Sequence, residues 1–133
     1  MDEALLELVK GWLMRARNDL RSAEILSAAA DPVLDTAIYH CQQAAEKSLK
    51  AWLQSRDIPF PKTHDLGDLI EIAARDDSGF IVHSGAASLL TPYAIEFRYP
   101  GFCRDALPSI EEFQEAYASA CSISNFVRRK LDV

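Results

Sequence analysis

The side chains best equipped for chemistry lie in three places along the sequence. Tyr39, Gln42, Gln43, Glu46 and Lys50 recur at spacings of three and four. His64 stands within Thr63-His64-Asp65, and Arg98-Tyr99-Pro100-Gly101 is followed closely by Arg104. The planar guanidiniums of Arg98 and Arg104 suit phosphate or carboxylate, and Tyr99 offers a face on which a base can stack. His64 is the residue type that exchanges protons near neutral pH. Each group also has a plain structural use. Glu46 and Lys50 form an i, i+4 pair in the favourable order, worth about 0.2–0.5 kcal/mol on an isolated helix. The amides can cap neighbouring loops, His64 can fix a helix start, and Arg98 can staple its turn to Glu46 or Glu96.

Other chemistries have no residues to stand on. The five glycines never cluster before Lys-Ser or Lys-Thr, which removes a P-loop or dinucleotide fold. His40, His64 and His83 have no ligand partner at helical spacing, so neither a metal site nor a cofactor is expected. There is no Gly-x-Ser-x-Gly elbow. A net charge of −6 and a pI near 5.0 argue against broad DNA or RNA binding, which depends on an extended basic surface. Cys41, Cys103 and Cys121 are odd in number and far apart, the pattern of reduced thiols in a cytoplasmic protein. No apolar run approaches the ~20 residues of a membrane span, and the acidic start is no signal peptide.

Helices must position these groups. Leu5, Val9, Trp12, Leu13, Ala16, Leu20, Ala23 and Leu26 predict an amphipathic helix from Glu3 to about Ala29. Asp31-Pro32 reads as N-cap and first helical residue of a second helix running to about Arg56, with Leu34, Ile38, Cys41, Ala45, Leu49 and Trp52 as its buried stripe. Ile58-Pro59-Phe60-Pro61 forbids helix, and Phe60 is expected to anchor that loop. Thr63-His64-Asp65 then caps a short third helix ending near Arg75. Phe80-Ile81-Val82 reads as a loop leading into a fourth helix from about Ser84 to Phe97, kinked at Pro92. Ser109-Ile110-Glu111-Glu112 is a capping box opening the last helix. The expectation is one all-α domain over residues 1–133, an antiparallel up-and-down bundle of four to five helices.

Three stretches in order, Tyr39-His40-Cys41-Gln42-Gln43-Ala44-Ala45-Glu46-Lys47-Ser48-Leu49-Lys50-Ala51, Pro61-Lys62-Thr63-His64-Asp65-Leu66 and Glu96-Phe97-Arg98-Tyr99-Pro100-Gly101, resemble the HEPN domain (higher eukaryotes and prokaryotes nucleotide-binding). Ala16-Arg17-Asn18-Asp19-Leu20 adds to the resemblance, which covers essentially the whole chain. It implies a homodimer encoded beside a minimal nucleotidyltransferase, often as a toxin–antitoxin pair. Some members are metal-independent ribonucleases whose motif is Arg, four to six residues, then His. Here neither Arg98 nor Arg104 precedes a histidine, and Arg56 to His64 and Arg75 to His83 each span seven intervening residues. The resemblance therefore implies a non-catalytic nucleotide- or RNA-binding partner of the nucleotidyltransferase, with Tyr39, Gln42, Gln43, Glu46, Lys50, His64, Arg98 and Tyr99 as ligand-binding residues. One alternative is an endoribonuclease toxin with a composite site drawing on His64, Arg98 and Arg104. Another is a pure interaction scaffold.

Overall fold

The first helix, α1, spans Glu3–Ala28, and the Asp2 carboxylate caps it by accepting from Leu5 N at 2.8 Å. α2 spans Leu34–Ser55. Both helices belong to a computed structural model that describes residues 1–101 and 106–133; Cys103 and Arg104 lie outside the described residues. α1 and α2 are antiparallel, since Lys50 sits over the Trp12 ring at 6.0 Å while Lys47 reaches Asp19 at 2.7 Å and Val33 N donates to Leu26 O at 3.1 Å. That last bond shifts the expected helix start. Val33, not Asp31, is the N-cap, no side chain caps it, and Pro32 stays in the connection. Closing the connection takes an N–H that a proline cannot give, so the chain turns helical only beyond it.

Between Cys41 and Leu53 every residue of α2 except Lys47 is buried. A helix covered on all sides must lie in the middle of its bundle. α1 packs along one side of it and α5, Ile110–Leu131, along another, while α3, Leu66–Asp76, and α4, Ser84–Leu90, complete the enclosure. α5 runs antiparallel to α1, with Tyr117 bonded to Glu24 and Arg128 Nη2 donating to Leu13 O at 2.9 Å. The molecule is all-helical among the described residues, the up-and-down bundle expected from its stripes. No described helix is long and apolar enough to cross a membrane.

The two ends of the proline loop are fixed locally. α2 closes in a Schellman arrangement: Asp57 takes a left-handed φ of 54°, its N–H bonds Gln54 O at 3.0 Å, and Ile58 N bonds Leu53 O at 3.0 Å. Aspartate tolerates that backbone better than most residues other than glycine. At the far end the Asp65 side chain caps α3 by accepting from Asp68 N. Phe60 is half-buried and approaches Lys50 Nζ at 5.9 Å, the anchor its position suggested.

Phe80-Ile81-Val82 is not a loop. It lies in a 3-10 helix, Ser78–His83, that feeds directly into α4 and drives Phe80 between Trp52 (4.5 Å) and Phe126 (4.9 Å). Full burial of that ring contributes about 1.5–3 kcal/mol. The fourth helix is also shorter than the expected span from about Ser84 to Phe97. Pro92 has no N–H for the ladder, so α4 stops at Leu90 and gives way to a 3-10 turn, Thr91–Ala94. The Thr91 hydroxyl bonds Ala87 O at 2.8 Å and accepts from Leu66 N at 3.1 Å, which ties this break to the start of α3.

Candidate functional site

The polar flank of α2 divides into two groups. The lower one is centred on Glu46, whose side chain is 6% exposed. Its Oε1 accepts from Gln42 Nε2 at 3.2 Å and pairs with His64 Nδ1 at 2.8 Å, while Oε2 takes Lys50 Nζ at 3.0 Å. Gln42 Nε2 also donates to His64 O at 3.0 Å, and Gln43 Nε2 donates to Gln42 Oε1 at 2.7 Å. Gln42, Gln43, Glu46, Lys50 and His64 thus come together, as a clamp that holds the proline loop against α2. Their polar groups are largely satisfied by one another; the His64 ring, with a side chain 65% exposed, is the part that reaches solvent.

The upper group is open. Arg98 Cζ lies 4.0 Å from the centre of the Tyr39 ring, within cation–π range. Its position is set by the turn after the 3-10 helix, where Ile95 N and Glu96 N both bond Pro92 O and Arg98 N bonds Ile95 O at 2.9 Å. Tyr39, Arg98 and His40, with Asp35, Thr36 and Phe97, line a cleft of about 240 Å³. Tyr99 is 56% exposed and makes no hydrogen bond or ring contact with another described residue.

Behind the cleft lies a buried carboxylate. Asp19, 6% exposed, pairs through Oδ1 with His40 Nδ1 and through Oδ2 with Lys47 Nζ, both at 2.7 Å. With Asp19 accepting at Nδ1, the imidazole is held in one orientation and Nε2 is the nitrogen left for a ligand. The sequence motifs do not mark Asp19, His40 and Lys47 as a unit. A signal was there: Asp19 follows Ala16 by three and precedes Ala23 by four, so a carboxylate interrupts the apolar stripe of α1 and must find cations inside the bundle.

Neither long-spaced Arg/His pair assembles. Arg56 bonds Asp76 at 2.9 Å and Arg75 bonds Glu71 at 3.2 Å, while His64 is held by Glu46 and His83 faces Ser122 at 3.5 Å. The described thiols are poor nucleophiles. Burial, reinforced by Cys121 and Asp19, pushes Cys41 up to about 12, and burial also raises Cys121. Among the described residues no cluster of three or more metal-ligating side chains occurs.

A family model described as the HEPN domain matches residues 9–130. The chain belongs to the HEPN family. Among solved structures, TT1696 from Thermus thermophilus is 30% identical, covers 92% of this chain and 97% of its own, and superposes with a TM-score of 0.74. ST0689, described as an archaeal HEPN homologue, is 22% identical over 92% of this chain and 96% of its own, with a TM-score of 0.72, and shares the fold. No curated protein matches. On this HEPN bundle the upper cleft joins an aromatic face, a guanidinium and an oriented imidazole, the set that a phosphate and an attached base or sugar would need.

Proposed function

We propose that this HEPN protein binds a nucleotide or an RNA phosphate in the cleft between Tyr39, His40 and Arg98. In this reading it works as a homodimeric, non-catalytic partner of a minimal nucleotidyltransferase in a toxin–antitoxin-like module. The observation that carries the ligand half is Arg98 Cζ lying 4.0 Å over the Tyr39 ring, both in the lining of a 240 Å³ cleft. A guanidinium in that position is oriented before any ligand arrives, so less freedom is lost on binding. Tyr99, exposed beside it, supplies a second aromatic face. The partnership rests on the HEPN resemblance. Calorimetry with ATP, GTP and a short single-stranded RNA tests the ligand half: binding weakened roughly tenfold or more in Arg98→Ala and Tyr39→Ala, about 1.4 kcal/mol, is expected. A protein that binds none of the three overturns it. Co-purification with a co-expressed nucleotidyltransferase and light scattering test the assembly.

A second reading, metal-independent RNA cleavage, is favoured by one observation: the Asp19-oriented His40 lines the same cleft as Arg98. His40 would take the proton of a ribose 2′-hydroxyl as that oxygen bonds to phosphorus, the P–O5′ bond would break with the 5′-oxygen leaving as a hydroxyl protonated by water, and Arg98 would steady the phosphate charge. Cleavage of RNA in EDTA, abolished by His40→Ala and by Arg98→Ala, is the required result; an inert wild type rejects it.

A further inference from the structure

α1 and α5 touch each other far less than either touches α2, and an open groove of about 530 Å³ runs between them. Arg17 and Arg21, one turn apart on α1, line it together with Arg128 on α5. Arg17 and Arg21 are exposed, and neither has a hydrogen bond or ion pair with another described residue. Arg128 donates one N–H to Leu13 O and meets no carboxylate among the described residues. Glu24 is the one acidic residue of the lining, and it accepts the Tyr117 hydroxyl. Ser124, also in the lining, is fully buried, and its hydroxyl has no partner among the described residues.

Three guanidiniums held on one groove repel one another; burial and the nearby Arg17 hold Arg128 below its ordinary pKa. Glu24 keeps its negative charge while accepting the neutral Tyr117 hydroxyl, so three guanidiniums face one carboxylate; supply does not explain the excess, because the chain has 20 Asp and Glu against 14 Lys and Arg. An anion from outside would relieve the repulsion. A single carboxylate has two oxygens and matches one guanidinium fork, whereas a phosphate group has enough oxygens to meet several. The geometry points to a phosphate-binding site in the α1/α5 groove, where Arg17, Arg21 and Arg128 together hold a phosphate group of a free nucleotide or of an RNA strand. The site shares no residue with the Tyr39–Arg98 cleft and stands whether or not that cleft binds anything.

The full chain, labelled with nitrogen-15, is titrated with inorganic pyrophosphate and separately with an oligouridylate. Saturable amide shifts at Ser124, Asn125 and Arg128 are expected, with affinity reduced roughly tenfold or more in the double variant Arg17→Ala/Arg21→Ala. Both arginines are exposed, so that variant keeps the wild-type amide spectrum elsewhere. Tyr39→Ala/Arg98→Ala leaves these shifts in place, which separates this site from the cleft. Saturation by pyrophosphate assigns the groove to a free phosphate ligand. Saturation by the RNA alone, weakening steeply with salt, assigns it to a strand. Absence of saturable shifts with both probes, shifts unchanged in the arginine double variant, or equal shifts with polyglutamate overturns the proposal.

Discussion

Asp19 and Glu46 put two carboxylates inside a helical bundle, and each is held by partners from another element. Taking such a group out of water costs several kcal/mol, so its donors must remain in place. For Glu46 the exposed consequence falls on Lys50, whose ammonium lies between the Trp12 and Phe60 rings. Glu46→Ala leaves that charge without an anion and is expected to destabilise the protein by about 3 kcal/mol in urea unfolding. Removing both charges, in Glu46→Leu/Lys50→Met, is expected to recover most of the loss, because an apolar pair of similar volume carries no stranded charge. If the double variant is as unstable as the single one, the clamp's hydrogen bonds to the loop matter more than its charges.

Helix ends decide where the functional groups point. Ser109 Oγ accepts from Glu112 N at 3.1 Å while Glu112 Oε1 accepts from Ser109 N at 3.1 Å, a reciprocal capping box at the start of α5. Ser109→Ala should cost about 1 kcal/mol, read as a lower urea midpoint with an unchanged slope. This box, the Asp65 cap and the apolar stripes of α1, α2 and α5 were legible in the sequence because each is a local pattern of a few residues. The start of α2 was not, since a long-range choice, Val33 N bonding Leu26 O, overrode the Asp31-Pro32 signal. Pro92 was legible as a break but not as the switch into a 3-10 turn that sets Arg98 over Tyr39. The candidate site shows the same division. The Glu46–Lys50 pair followed from helical spacing, and grouping it with His64 followed from the HEPN resemblance; their meeting is what the fold adds. The Asp19–His40–Lys47 unit joins residues 21 and 28 positions apart, which no local pattern encodes.

For the whole molecule, acid is the informative perturbation. His83 is 8% exposed, packed 4.5 Å from the Phe126 ring and near Arg129, so burial first and that positive charge second hold its pKa below the ordinary 6.5. The unfolded chain therefore takes up this proton before the folded one does. The histidine's contribution to stability is complete above about pH 7 and is lost as pH falls from there through the depressed folded value. Comparing Tm at about pH 7.5 and 5.5 should show a smaller acid-induced drop in His83→Gln than in the wild type. Equal drops in the two proteins would mean that His83 titrates normally.

The central place of α2 has a consequence for how the protein is made. α1 and α2 are joined by a short connection and can pair as soon as both have left the ribosome, whereas α5 begins only at Ile110. Through that interval the side of α2 destined for α5 has no cover, and Phe80 has not yet met Phe126. The nascent chain thus passes through a stage in which its most deeply buried helix is half wrapped. Holdase chaperones recognise such surface, and chains stalled before Ile110 would be the species most prone to self-association.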